Sequence, residues 1–129
     1  MSKKPTPKPT DSELEILRVL WELGPSTVKT VNERLNKVRL VGYTTTLKLL
    51  QIMHEKGFVN RNDNERSHIY NSAIAESDIQ SAMVTKLLTT VFSGSASKLV
   101  MQVLGNLNTS KEELLKIKEM LNQIERDKK

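Results

Sequence analysis

The hydrophobic pattern of the chain changes its period twice, and this order limits the folds that the chain can adopt. Apolar residues recur at helical spacing in three segments up to Lys56, alternate with polar residues in two short segments up to Tyr70, and then return to helical spacing. The two alternating segments flank a polar turn, which predicts a β-hairpin. Three helices followed by a hairpin is the order of a winged helix-turn-helix. We therefore predict a mainly α protein with a small β-hairpin: a winged helix at residues 10–75, then a three-helix region at residues 76–129.

The first and second helices are marked by their ends. Thr10 can cap the first helix with its hydroxyl, and Glu13 completes a capping box three residues later. Gly24 ends this helix, because glycine readily adopts the conformation that follows a helix C-terminus. Ser26 or Thr27 then caps a second helix.

A third helix, predicted at residues 43–56, carries the strongest functional signal. Its inward stripe follows the spacing i, i+3, i+4, i+7 and consists of Thr46, Leu49, Leu50 and Met53. The opposite face consists of Thr44, Thr45, Lys48 and Gln51. Short hydroxyls, an amide and one cation suit hydrogen bonds to base edges and phosphates. An ordinary solvated surface is the alternative, but such surfaces usually carry Glu/Lys pairs, and consecutive threonines are poor helix formers. We interpret this face as a DNA-contact surface.

The charge distribution agrees with a DNA-binding N-terminal part. The formal net charge is +5; residues 1–75 carry 12 basic against 8 acidic residues, a net of +4, and residues 76–129 carry 8 against 7, a net of +1. Such an excess is expected where a domain meets a polyanion, although many ordinary domains share it. Residues 1–9 alternate Lys, Pro and Thr and predict a flexible basic tail.

Eight residues are candidates for DNA contact. They are Lys29, Tyr43, Thr44, Thr45, Lys48, Gln51, Arg66 and Ser67. Arg66 lies at the predicted tip of the hairpin, where it can contact a phosphate or the minor groove. A winged helix can also serve purely for protein–protein contact. That alternative predicts no salt-dependent DNA binding and leaves the polar face of the third helix unexplained.

The composition argues against several other classes of protein. The chain has no cysteine, which excludes a disulfide framework, a thiolate metal site and a catalytic thiol. The two histidines, His54 and His68, are not accompanied by carboxylates at metal-ligand spacing, and there is no glycine-rich phosphate loop. We therefore expect no enzyme, metal or cofactor. No segment approaches the roughly 20 apolar residues of a membrane helix, and the N-terminus lacks the apolar stretch of a secretory signal. A soluble cytoplasmic protein is expected.

The C-terminal region predicts a homodimer. Apolar residues repeat at i+4 intervals in a helix at residues 76–92, form a second stripe after Ser93 and Gly94, and follow a heptad-like seam in a last helix. Only 37% of the chain is hydrophobic, and three short amphipathic helices seldom bury all their apolar surface within one copy. The predicted interface residues are Ile79, Met83, Leu87, Val91, Leu99, Val103, Leu114, Ile117, Leu121 and Ile124.

Several segments together resemble the penicillinase-repressor (BlaI/MecI) family. The resemblance begins at residues 13–21 (ELEILRVLW), is most specific at residues 42–51 (GYTTTLKLLQ), and continues through residues 54–59 (HEKGFV), Arg66 and Tyr70. No single motif decides it, but the order and spacing of the motifs are specific over nearly the whole chain.

The resemblance implies a homodimeric repressor that binds inverted-repeat operators, typically built from TACA/TGTA-like half-sites, through residues 44–51. In the best-known members of the family, a membrane-bound metalloprotease sensor responds to β-lactams and triggers cleavage in the dimerisation region, typically at an Asn-Phe bond. The matching residues here are Gln102 and Val103, so the chain departs from the family at this bond. The copper-responsive branch carries C-terminal cysteines, which this chain lacks.

Overall fold

The computed structural model describes residues 8–63, 66–106 and 108–128. In chain order its elements are α1 (Asp11–Leu23), β1 (Ser26–Thr27), α2 (Val28–Leu35), α3 (Tyr43–Glu55), β2 (Val59–Asn62), β3 (Ile69–Ser72), α4 (Glu76–Thr90), α5 (Ala96–Asn106) and α6 (Lys111–Asp127). The described chain is mainly helical with one small antiparallel sheet, which confirms the predicted fold class. It divides into two compact units, one ending at Met83 and the other beginning at Val84, within α4. No helix in these ranges is long and apolar enough to cross a membrane.

The first helix begins and ends as the sequence predicts. The backbone N–H of Glu13 donates to Thr10 Oγ1 at 3.2 Å, and the N–H of Thr10 donates to Glu13 Oε1 at 2.9 Å, so both halves of the capping box are present. Gly24 ends the helix at a φ of 79°, which residues with a Cβ atom rarely adopt. Between these ends, α1 buries an apolar face that includes Ile16 and Leu17.

The sheet has three strands rather than the two that the sequence predicts. β1 pairs with β3 through Ser26–Tyr70 and Thr27–Ile69, and β3 also pairs with β2, so the order is β1-β3-β2 and both pairings are antiparallel. A strand of two residues is too short to show an alternating pattern, so the sequence showed Ser26 and Thr27 only as possible helix caps. Thr27 has both roles, because its Oγ1 also accepts the N–H of Thr30 at 3.2 Å.

The core of the first unit is formed by α1, α2, α3 and the sheet. Its fully buried apolar side chains are Ile16, Leu17, Leu20, Val31, Leu50, Met53, Val59 and Tyr70. Burial of each large aliphatic side chain stabilises the fold by about 1.5–3 kcal/mol. At the margin, Trp21 Nε1 donates to Ser72 Oγ and to the carbonyl of Ile74, both at 2.9 Å. These bonds fasten α1 to the segment after β3.

The second unit has no comparable core. Among its described residues, neither α5 nor α6 contains a buried side chain, and Leu121 is 54% exposed. Helix α4 buries Ile79, which precedes Met83 and is 2% exposed in the single chain. Ile79, one of the predicted interface residues, is thus covered within a single chain, which leaves little of its side chain for a partner. Its i+4 spacing from Met83 fits intrachain burial as well as burial between copies.

Candidate nucleic-acid interface

Helix α3 has a buried face and an exposed face, as its sequence pattern predicts. Thr46, Leu50 and Met53 are fully buried, and Leu49 is half-buried. The exposed face consists of Tyr43, Thr44, Thr45, Lys48 and Gln51. All five candidate residues of this helix are therefore accessible to a ligand.

The N-terminus of α3 is not capped by a side chain. Gly42 occupies the N-cap position with extended backbone, at φ −70° and ψ 149°, and it has no side chain to accept the first N–H groups. These N–H groups and the helix dipole give this end a partial positive charge, which attracts anions such as phosphate. Thr44 and Thr45 carry their hydroxyls in the same turn. This turn can therefore bind a phosphate and approach base edges together.

The Lys and Arg residues between positions 28 and 68 form two groups. Those of the first group are paired with carboxylates: Arg34 with Glu22, Arg39 with Glu15, Lys56 with Glu13, and Arg61 with Asp63. Those of the second group make no ion pair with any residue that the structure describes: Lys29, Lys37, Lys48 and Arg66. The unpaired group lies at the start of α2, directly after α2, on α3, and between β2 and β3. Half of the cations of the helix-turn-helix and the wing are therefore left without a carboxylate among the described residues, as is the exposed Arg18 of α1.

The paired cations are held at short distances. Arg39 donates to both carboxylate oxygens of Glu15, at 2.7 and 3.2 Å, and these bonds lower the pKa of Glu15. Lys56 Nζ lies 2.8 Å from Glu13 Oε2. Burial raises the pKa of Glu13, but hydrogen bonds from Lys56 and from the Thr10 N–H outweigh burial, so the pKa is lowered. Both carboxylates are ionised at neutral pH and neutralise their partners.

The wing exposes Arg66 and Ser67. Because β3 begins at Ile69, Ser67 lies in the connection between strands. Asp63 Oδ1 lies 2.7 Å from Arg61 Nε and 2.7 Å from His68 Nδ1. Burial raises the pKa of Asp63, but Arg61 and then His68 outweigh burial and lower it. Arg66 carries the unpaired positive charge of the described part of the wing.

The predicted protease-sensitive bond lies in a helix. Gln102 and Val103 are exposed residues of α5, whose ends are Ala96 and Asn106. A protease requires an extended substrate, so the helix has to open locally before this bond can be cut. The absence of buried side chains in α5 makes such opening inexpensive in free energy.

One candidate contact was missing from the sequence prediction. Lys37 is exposed and pairs with no carboxylate in the described ranges, whereas the nearby Arg34 and Arg39 pair with carboxylates that lie 12 and 24 residues away in the chain. The local sequence cannot show which of these three cations is paired with a carboxylate, because the pairing depends on how α1 packs against α2 and the following turn.

The helix-turn-helix of α2 and α3, the hairpin of β2 and β3, and the unpaired cations around them define a winged-helix DNA-binding protein. A family model described as penicillinase repressor matches residues 9–123. The chain belongs to this family, and its function is that of a DNA-binding transcriptional repressor.

Relatives agree with this assignment. The chain is 26% identical over 126 residues to the penicillinase repressor of Bacillus licheniformis, covering 98% of each chain. It is 22% identical over 114 residues to the methicillin resistance regulatory protein MecI of Mammaliicoccus sciuri, covering 88% of this chain and 93% of the relative. A solution structure of Bacillus licheniformis BlaI, monomeric and in complex with the blaP half-operator, matches with a TM-score of 0.50 and 29% identity, covering 59% of this chain and 93% of that chain. The family resemblance seen in the sequence is thereby confirmed.

Proposed function

We propose that the protein represses transcription as a homodimer on an inverted-repeat operator, with α3 of each copy in the major groove. The observation that carries the proposal is that the exposed face of α3 belongs to a helix-turn-helix and wing in which four cations are paired with carboxylates. The other four, Lys29, Lys37, Lys48 and Arg66, make no ion pair with a described residue. The B-DNA major groove is about 12 Å wide and admits one α-helix. Because a repressor acts on DNA inside the cell, we also propose a cytoplasmic location.

Within this interface the side chains divide by reach and chemistry. The short side chains of Thr44 and Thr45 are suited to base edges, and their methyl groups to thymine. Gln51, one to two turns further along α3, offers an amide that can bond adenine in a bidentate way. The longer and charged side chains, Lys29, Lys37, Lys48 and Arg66, are suited to phosphates, and Tyr43 and Ser67 can add neutral phosphate contacts.

The second unit supports assembly into a dimer. Its apolar residues remain exposed in the single chain, and a second copy with the same seam would cover them. The proposed interface residues are Met83, Leu87, Val91, Leu99, Val103, Leu114, Ile117, Leu121 and Ile124. The solved BlaI complex is described as monomeric on a half-operator, which supports two copies for a whole operator.

Proteolysis is the proposed means of relieving repression. By the family resemblance, Gln102 and Val103 match the bond that is cut in the best-known members. No described side chain of α5 is buried within its own copy, so only the proposed contacts with the second copy would resist its opening. Cleavage there would divide α5 and remove α6 from the proposed interface. The proposed protease is a membrane-bound metalloprotease sensor, as the family resemblance implies.

The test begins with selection of duplexes from a random pool by the full chain. The selected sequences should be pseudo-palindromic, because a twofold dimer presents two identical α3 helices. Fluorescence anisotropy at several salt concentrations should then show log affinity falling with log salt by about 0.9 per phosphate contact. Equal affinity for selected and random duplexes contradicts specific repression. Absence of salt-dependent binding favours the alternative, a winged helix used for protein–protein contact.

A further inference from the structure

The turn between α2 and α3, residues 36–42, determines where the first turn of α3 begins, yet apolar packing holds little of it. Val38 is 84% exposed and Leu40 is 94% exposed, whereas Val41 is 7% exposed and is the buried residue of this turn. A connection with so little packing would ordinarily allow the following helix to shift. Backbone hydrogen bonds hold residues 37–39 to the end of α2, and side-chain hydrogen bonds hold Val41 at the start of α3.

Asn36 bonds both backbone groups of Val41. The N–H of Val41 donates to Asn36 Oδ1 at 3.0 Å, and Asn36 Nδ2 donates to the carbonyl of Val41 at 2.9 Å. Asn36 Nδ2 also donates to the carbonyl of Asn32 at 2.8 Å. A short primary amide supplies a donor and an acceptor side by side, which is what this two-way contact requires.

Asn32 extends the network from α2 into α3. Its Nδ2 donates to the carbonyl of Val41 and to Thr46 Oγ1, both at 2.9 Å. Thr46 is fully buried, and its hydroxyl donates in turn to the carbonyl of Gly42 at 3.4 Å. The third of the consecutive threonines is thus bonded inside the protein, whereas Thr44 and Thr45 face solvent.

We propose that Asn32, Asn36 and Thr46, here called the amide clamp, are positioning residues for sequence recognition. The clamp fixes Val41 and Gly42, and through them the angle at which the first turn of α3 presents Thr44 and Thr45 to base edges. This inference rests on the proposed role of α3 as the reading helix. None of the three clamp residues needs to touch DNA.

The clamp acts on discrimination more than on affinity. Hydrogen bonds to base edges weaken steeply when distance or angle changes, so a small shift of α3 removes them. Phosphate contacts from Lys29 and Lys48 tolerate the same shift, because long side chains adjust and charge attraction falls slowly with distance. Loss of the clamp should therefore lower operator affinity while leaving affinity for random duplexes nearly unchanged.

A matched pair of variants at Thr46 separates bonding from packing. Thr46→Val keeps the shape of the side chain and removes the hydroxyl, whereas Thr46→Ser keeps the hydroxyl and removes a buried methyl group. We expect Thr46→Val to lower the ratio of operator to random-duplex affinity about five- to tenfold, the loss expected for one hydrogen bond. Thr46→Ser should retain the wild-type ratio, although loss of the buried methyl group lowers its thermal midpoint below that of the wild type. A Thr46→Ser variant that discriminates no better than Thr46→Val overturns the proposal.

Hydrogen exchange tests the clamp without DNA. Asn36 is exposed, so Asn36→Ala should fold, and the amide of Val41 should then exchange at least about tenfold faster, since it loses its acceptor. Amides of Ile16 and Leu17 in α1 should keep their wild-type protection. Unchanged exchange at Val41 overturns the clamp itself.

The two measurements also distinguish failure of the clamp from failure of the proposed function. One outcome is that the wild-type chain discriminates between duplexes while Thr46→Val and Asn36→Ala discriminate as well as the wild type. In that case the positioning role of the clamp is wrong, but the proposed role of α3 as the reading helix is not contradicted. If the wild-type chain shows no discrimination, the reading helix is wrong, and the positioning role fails with it whatever the exchange rates show.

Discussion

The two units of the chain differ in how their apolar side chains are covered. In the unit that ends at Met83, Ile16, Leu17 and Leu50 are 0% exposed, and the core closes within one copy. In the unit that begins at Val84, the described residues of α5 and α6 include no buried side chain. The first unit can therefore reach its fold with its own residues, whereas the apolar side chains of the second would be covered only by the partner copy that we propose. DNA contact and assembly are assigned to separate units for this physical reason.

The largest effect is expected from a charge in the proposed dimer seam. Leu121→Asp would bury an unpaired carboxylate between copies, at a cost of several kcal/mol. Sedimentation or light scattering at micromolar concentration should show monomers, while the winged-helix unit keeps its amide protection. Glu119→Lys, on the opposite side of α6, is the matched control and should remain dimeric. A dimeric Leu121→Asp variant would place the interface elsewhere.

A substitution in the core of the first unit should lower stability by an amount that does not depend on dimer formation. Leu17→Ala removes a fully buried side chain from the core of one copy and should lower the free energy of unfolding by about 2–5 kcal/mol. The loss should not depend on protein concentration, whereas the stability of the second unit should rise with concentration. Urea unfolding of the variant and the wild type at two protein concentrations measures the stability of the two units. A concentration-dependent loss for Leu17→Ala would mean that the first core is also shared between copies.

A pair of carboxylates in α1 sharpens the contrast between buried and exposed charge. Glu13→Gln should cost about 1–2 kcal/mol at neutral pH, because the buried carboxylate loses its charge toward Lys56. The pKa of Glu13 is lowered in the folded chain, so its contribution is present above the ordinary carboxyl range and is lost as pH falls through the folded pKa. The difference between variant and wild type should therefore vanish in acid. Glu15→Gln, whose partner Arg39 is exposed, should lower the free energy of unfolding by no more than about 0.5 kcal/mol. Equal losses for Glu13→Gln and Glu15→Gln would show that burial of the carboxylate makes no difference.

The smallest effect is expected from one unpaired cation. Lys48→Ala should weaken binding to operator and random duplexes alike by about 1 kcal/mol at moderate salt, and should reduce the salt slope by about one unit. Anisotropy titrations across a salt series measure both quantities. Lys116→Ala removes an exposed lysine of α6 and should change neither. A loss confined to one base position would make Lys48 a base reader instead.

Local pattern was sufficient to predict the helices and the two faces of α3. The capping box of Thr10 and Glu13 and the inward spacing of Leu50 and Met53 involve residues within two turns of one another, so the sequence displays them directly. The helical periodicity that predicts the buried positions of α3 also predicts that Thr44, Thr45, Lys48 and Gln51 are exposed.

Features that depend on distant residues were not predicted. β1 exists only because Ser26 and Thr27 meet β3 more than 40 residues later. Ile79 shares its spacing with residues of the proposed seam but is buried in its own chain. The packing of the helices likewise determines which cations are paired with carboxylates. It also determines the hydrogen bonds from Asn32 to Val41 and Thr46, which no local pattern displays.

In the proposed repressor, the second unit joins two winged helices, which bind one operator together. The most direct test is to insert five base pairs between the half-sites of a selected operator and to measure affinity by anisotropy and footprinting. Five base pairs rotate one half-site by about half a turn of a helix whose repeat is roughly 10–10.5 base pairs. Affinity should then collapse toward that for random duplex, with one half-site protected at most. Undiminished affinity after the insertion would show that each winged helix binds independently and would contradict repression by a coupled dimer.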